Sequence, residues 1–158
     1  NLTVSLFAGM VIYVLWMGQN LVWMGSQKGT LAFEIVVMYT VFAFVTTMVR
    51  EIVKDIEDID GDKSCGARTL PIVIGIRASR FICTILAALL AFGLVYWLRH
   101  IHQSIDSLAE RYFILAVLLP VTAIAIAVMR SRDKRDWYRV SQFIKVVILL
   151  GTLFLILV

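Results

Sequence analysis

The chain is 158 residues long, 61% hydrophobic and only 16% charged, where an ordinary soluble domain carries about 25% charged residues. A soluble fold of this size has too little interior to hide that much apolar surface, so lipid must be part of its solvent. The net charge of +4 does not point to nucleic acid, because the basic residues sit in short loops between apolar runs, where membrane topology accounts for them.

Charges divide the sequence into five apolar runs. Residues 2–27 carry no charge, and 31–49 carry only Glu34; residues 81–98, 112–129 and 140–158 follow, the last interrupted by Lys145 alone. Each is close to the ~20 residues that cross a hydrocarbon core of about 30 Å. In lipid each must be helical, because the backbone has no water to bond. The expected fold is all-α, a multi-helix transmembrane bundle of about five spans. It forms a single transmembrane domain over residues 1–158, with one prominent loop at 50–80.

Smaller features refine this picture. Pro120 falls inside the fourth run and predicts a kink. Gly9, Gly18, Gly93 and Gly151 are places where helices can approach closely, although none forms a GxxxG pair. Trp16, Trp23, Tyr96, Trp97, Trp137 and Tyr138 lie near span ends, as an interfacial aromatic belt requires. Glu34 and Lys145 are expected to snorkel to an interface or to face the protein interior. Cys65 and Cys83 form no CxxC pair and suggest neither a zinc site nor a disulfide framework. His100 and His102 read as interfacial loop residues rather than as a metal site. The chain opens on Asn1 with no signal-peptide pattern, and reads as part of a longer chain.

The loops alternate in Lys and Arg content. The first has Lys28 alone. The second has Arg50, Lys54, Lys63, Arg68, Arg77 and Arg80. The third has Arg99 and Arg111, and the fourth has Arg130, Arg132, Lys134, Arg135 and Arg139. The alternation puts the second and fourth loops on the cytoplasmic side, with Asn1 inside and Val158 outside.

The second loop holds the chemistry. Six of the eleven acidic residues fall within 51–62, and no Gly or Pro interrupts the run before Gly61, so the second helix is expected to continue into it. At 100° per residue, Glu51, Asp55, Asp58 and Asp62 fall within about 60° on one face, while Glu57 and Asp60 point elsewhere. Four carboxylates on one stripe repel, and some take up protons unless a cation sits among them. A hard divalent ion removes the conflict. Mg²⁺ suits carboxylate and water ligands, and it typically uses one or two protein carboxylates plus substrate phosphates. Asp55, Asp58 and Asp62 are therefore candidate ligands for a metal-bound diphosphate. Lys54, Lys63, Arg68 and Arg77 are placed to contact phosphate oxygens. The alternative is a solvated, charged helix end.

The stretch 50–75, REIVKDIEDIDGDKSCGARTLPIVIG, closely resembles the second aspartate-rich motif of the UbiA superfamily of intramembrane prenyltransferases. That motif is DxxDxxxD followed by a Gly and a Thr-Leu-Pro run, here Asp55, Asp58, Asp62, Gly66, Thr69, Leu70 and Pro71. Within the superfamily the motif looks most like that of the digeranylgeranylglyceryl phosphate synthase type. The resemblance implies a nine-helix fold of which this chain is similar to helices five to nine. It also implies transfer of a prenyl group from an isoprenyl diphosphate to a lipid or aromatic acceptor. Asp58 and Asp62 are the implied catalytic residues, Asp55, Asp58 and Asp62 the Mg²⁺ ligands, and Lys54, Lys63 and Arg68 the diphosphate contacts. The family's first motif, NDxxDxxxD, has no counterpart here, since no Asp precedes Asp55. The expected partner is therefore an N-terminal half of the same enzyme, without which these residues are expected to be inactive.

Two other readings compete. A CDP-alcohol phosphotransferase needs an Asp-Gly-x-x-Ala-Arg run, whereas Gly61 is followed by Asp62-Lys63-Ser64-Cys65-Gly66-Ala67-Arg68, which is too long. A cation or proton transporter wants acids at the bilayer midplane, and these sit at a helix end among bases.

Overall fold

A computed structural model describes residues 27–157 and Met10. The expected first span, apart from Met10 and Gln27, lies outside the described residues, as do Gly9, Gly18, Trp16 and Trp23. The described chain is helical: α1 (Gln27–Glu57), α2 (Ile59–Ser64), α3 (Leu70–Ile74), α4 (Ile76–Ile101), α5 (Ser107–Tyr112), a π-helical segment (Phe113–Leu118), α6 (Leu119–Arg130) and α7 (Lys134–Leu157). It contains no strand. Four stretches are long and apolar enough to cross a membrane: Phe33–Glu57, Ile76–Ile101, Ser107–Arg130 and Lys134–Leu155. They correspond to the second to fifth expected spans, and the protein is an integral membrane protein.

The four spans close into a ring. α1 packs on α4 and α7, α4 packs on α6, and α6 packs on α7. Each helix contributes one stripe to the interior. On α4 that stripe is Cys83, Ala87, Leu90, Ala91, Leu94 and Leu98, all buried, at the three- and four-residue spacing of one helical face. Phe81, Leu89, Phe92 and Tyr96 on the same helix are exposed, as lipid contact demands. Lipid tails are as apolar as the core, so close packing rather than exclusion of water holds such a bundle together. Gly151 shows this at the α1–α7 seam. A Cβ there would run into the ring of Phe42, and just beyond it the Tyr39 hydroxyl bonds Thr152 Oγ1 at 2.8 Å. Gly93, by contrast, has nothing within 4 Å of where a Cβ would be among the described residues.

Several hydroxyls inside the spans bond carbonyls of the preceding turn. Thr46 Oγ1 donates to Phe42 O at 2.6 Å, Ser79 Oγ to Gly75 O at 3.0 Å and Ser131 Oγ to Ala127 O at 2.8 Å. This is how hydroxyls are satisfied where water is absent. Pro120 acts through the turn before it. It offers no N–H and crowds the carbonyl four residues back. The preceding Phe113–Leu118 segment widens to π geometry, with Leu119 N–H bonded to Ile114 O, so the distortion is a π stretch of the kind known to disturb helices.

Because the spans alternate in direction, residues 58–76 and 131–133 lie at one end of the bundle and residues 102–106 at the other. At the first end Arg80 stacks over Trp137, 5.4 Å from the ring centroid, with Trp137 only 3% exposed. At the far end Trp97 packs against Phe113, with centroids 5.4 Å apart, and against Phe154. Neither tryptophan belongs to an outward-facing belt. Tyr96 and Tyr138 are exposed, as expected of belt residues. The two histidines pair with carboxylates from other segments: His100 Nε2 lies 3.6 Å from Glu34 Oε1, and His102 Nδ1 lies 2.9 Å from Glu110 Oε1. Lys145 bonds Gln142 Oε1 at 3.1 Å and is exposed.

Candidate active site

The acidic segment emerges directly from the packed core. Val49, Ile52, Val53 and Ile56 are buried against the bundle and keep α1 helical up to Glu57. The ladder barely pauses there. Asp58 sits at φ −96°, ψ 9°, yet its N–H bonds Lys54 O at 2.9 Å and its carbonyl accepts the N–H of Asp62 at 3.0 Å. The i→i−4 pattern therefore runs through the break into α2, and Asp55, Asp58 and Asp62 stay on successive turns of one face. All three are half-buried, whereas Asp60 is exposed.

What stops α2 is glycine chemistry. Gly66 has φ +70°. The N–H of Ala67 reaches back to Asp62 O at 2.9 Å and that of Gly66 to Lys63 O at 3.2 Å, the two bonds of a Schellman cap. The chain then turns back on itself. Pro71, in the first turn of α3, where its missing N–H costs nothing, is buried, and α3 packs against α1, α2 and α4. Gly75, at φ +89°, ψ 155°, makes the sharp corner into α4. Asp62 and Arg68 are thus held at the two sides of one short, glycine-defined turn.

Electrostatically Asp58 and Asp62 are not neutralised from within the described residues. Glu51, on the same stripe, is paired with Arg50 Nη1 at 2.6 Å. Among the described residues, the side chains of Asp58 and Asp62 accept no hydrogen bond and form no ion pair, and none of Lys54, Lys63 and Arg68 is joined to a carboxylate. Those three bases are all exposed. At 100° per residue the Asp55–Asp58–Asp62 stripe is centred about 140° around the helix from the buried stripe of Val49, Ile52, Val53 and Ile56. It faces away from the core of this bundle. The apolar stripe and the acidic one interleave in the same stretch of sequence, so their opposition was readable there from spacing alone.

As a donor set the site suits a hard cation only in part. Among the described residues, no three His, Cys, Asp or Glu side chains are grouped to hold a metal ion by themselves. Mg²⁺ does not require such a cage, since one or two carboxylates plus phosphate oxygens and water complete its octahedron. Asp58 and Asp62, one turn apart and half-buried, fit that role. One more polar group stands out, which spacing did not single out. Thr69, at the N-cap of α3, has a buried hydroxyl with no hydrogen-bond partner among the described residues.

Comparison with known proteins gives a consistent picture. A family model described as the UbiA prenyltransferase family matches residues 1–149. The chain is similar to the digeranylgeranylglyceryl phosphate synthase of Methanothermobacter thermautotrophicus, at 34% identity over 149 residues, covering 92% of this chain and 47% of the relative. It is similar to the protein of that name from Methanococcoides burtonii, at 31% over 128 residues, 81% of this chain and 43% of the relative. It is also similar to that from Natronomonas pharaonis, at 43% over 83 residues, 51% of this chain and 30% of the relative. The chain thus spans less than half the length of these curated relatives. No solved structure matches it.

Proposed function

Because the chain belongs to the UbiA prenyltransferase family, we propose that its acidic end supplies half of a site that transfers a prenyl group from an isoprenyl diphosphate to a lipid acceptor of the glyceryl phosphate kind. The observation that carries this reading is the unbroken ladder that sets Asp55, Asp58 and Asp62 on one half-buried face beside exposed Lys63 and Arg68. The acceptor class is taken from the names of the relatives.

Mg²⁺, when bound, supplies Lewis acidity that withdraws charge from the diphosphate. Asp58 and Asp62 would hold it, with Asp55 one turn earlier on the same face. Lys63 and Arg68 bond the non-bridging phosphate oxygens and stabilise the charge that accumulates as the carbon–oxygen bond breaks. The bond's electron pair leaves with diphosphate, the allylic carbon becomes electron-deficient, and an acceptor hydroxyl adds to it and loses its proton. Lys54, on the flank of the stripe, adds to the positive field that draws the donor in. The apolar helix faces below keep water from the electron-deficient carbon. Since the stripe faces away from the core of this chain, the remaining ligands come from the part of the relatives that this chain does not cover. The loops at 50–80 and 130–139 lie on the cytoplasmic side, as their excess of Lys and Arg requires.

The test is prenyl transfer by the full-length protein in detergent or liposomes. Asp58→Ala and Asp62→Ala should each abolish turnover while leaving the helical circular dichroism unchanged, and chelation of Mg²⁺ should abolish it reversibly. Wild-type turnover in either variant overturns the assignment.

A further inference from the structure

We infer that the cleft between the end of α6 and the start of α7 is a seat for the phosphate group of a phosphate-bearing lipid. The cleft has a volume of about 300 Å³ and is lined by Ala127, Arg130, Ser131, Asp136, Arg139 and Val140. It opens at the same end of the bundle as the acidic segment but on different helices, and no step proposed above uses it.

The charges in the cleft are what call for a ligand. Arg130 and Arg139 are both exposed and both line it. Neither forms an ion pair among the described residues. The one carboxylate lining the cleft, that of Asp136, interacts electrostatically with Arg139 and is also tied to the backbone. Its Oδ2 accepts the backbone N–H of Arg132 at 3.2 Å and that of Asp133 at 3.4 Å, closing the turn before α7. Ser131 is likewise spoken for, its hydroxyl donating to Ala127 O. The cleft therefore keeps a net positive charge, two arginines against one carboxylate, and Arg130 pairs with no carboxylate among the described residues, which favours an added anion. Guanidinium forks match phosphate oxygens in bidentate fashion. The cleft is many times the ~30 Å³ that one water occupies, which leaves room for a phosphate group with part of its hydration.

The walls say where that phosphate comes from. Ala127 and Val140 make the cleft floor apolar. One turn deeper on each helix, Ile126 below Arg130 and Phe143 below Arg139 are exposed. A ligand with a phosphate head and a hydrocarbon tail satisfies both levels at once, whereas free phosphate uses only the upper one. The inference does not rest on prenyl transfer and holds for any lipid with such a head.

The experiment is lipid retention by the full-length protein in neutral detergent, read by native mass spectrometry with phosphatidic acid as the probe. Arg130→Gln and Arg139→Gln should each weaken retention by about tenfold, the loss of one charge-assisted fork. Arg132→Gln and Arg135→Gln, which change the same loop's charge outside the cleft, should leave it within about twofold. Ala127→Phe, which fills the cleft without altering charge, should lower retention as Arg139→Gln does. Equal loss in all the arginine variants means generic attraction between a basic loop and anionic lipid, and overturns the proposal. So does full displacement of the probe by equimolar inorganic phosphate, which would make the ligand a soluble ion. Unchanged retention in Arg130→Gln and Arg139→Gln also overturns it.

Discussion

Gly61, Gly66 and Gly75 separate the backbone cost of a side chain from its steric cost. At all three positions a Cβ would meet nothing within 4 Å, so any effect of alanine is conformational. Gly61 lies inside α2 with ordinary helical geometry, and Gly61→Ala should stabilise the segment by about 0.5–1 kcal/mol. Gly66 is held at φ +70°, where an L-residue costs about 1–2 kcal/mol, so Gly66→Ala should destabilise it by that amount. Gly66→Asn should cost less, because asparagine tolerates the left-handed cap. Gly75, at φ +89°, ψ 155°, occupies a region nearly closed to other residues, and Gly75→Ala should cost up to about 3 kcal/mol. The reporter is amide hydrogen exchange at Ala67, whose N–H bonds Asp62 O across the cap. A loss of 1–2 kcal/mol should speed local opening by about 5- to 30-fold. Exchange at Ala67 that is unchanged in Gly66→Ala, or equally accelerated in Gly61→Ala, would refute the claim that the Schellman cap holds Asp62 in place.

Other perturbations probe the rest of the scaffold. Gly151→Ala should cost about 1–3 kcal/mol by overpacking against Phe42, seen as a lower melting temperature. Adding Phe42→Leu should recover more than the sum of the single effects allows. Arg80→Met keeps the aliphatic stem but removes the cation over Trp137. It should lower stability by about 0.5–2 kcal/mol, and an unchanged denaturation midpoint would deny the contact any energetic role. Cys65 is exposed and Cys83 buried, so of these two cysteines a membrane-impermeant maleimide should label Cys65 alone. Labelling should occur only from the cytoplasmic face, and labelling from the opposite face would invert the proposed orientation.

Much of the bundle was legible because transfer into lipid is a residue-by-residue property. The runs 31–49, 81–98, 112–129 and 140–158 each fall on a helix long and apolar enough to cross a membrane. Their ends were not legible, because the limit of an apolar run is not the limit of a hydrogen-bond ladder. α1 continues through its charged residues to Glu57 because Ile52, Val53 and Ile56 still have a core to enter. Pro120 announced a distortion without its form, since the π segment is set by how the preceding carbonyls find donors. Trp97 and Trp137 misled for a related reason. Depth along a span is readable from sequence, but which way a ring faces depends on neighbours such as Phe113 and Arg80 that are distant in the chain.

In the acidic stripe, local helix geometry and the position of the core act together. Its internal phase was readable because Asp55, Asp58 and Asp62 are tied together by local helix geometry, and the hydrogen bonds through Asp58 preserve that geometry. Its relation to the core follows from the interleaved apolar stripe. One helix face commits Val49, Ile52, Val53 and Ile56 to this bundle, which leaves the carboxylates about 140° away. Partial burial strengthens their mutual repulsion relative to water, and among the described residues Asp58 and Asp62 form no ion pair with Lys54, Lys63 or Arg68, all exposed. A solvated charged helix end would relax this repulsion by pairing acids with the bases three or four residues away. On the proposed reading both sets of charges wait for the same ligand, Asp58 and Asp62 for its cation and the bases for its phosphates. That requires the stripe to face outward, toward whatever closes the site from the other side.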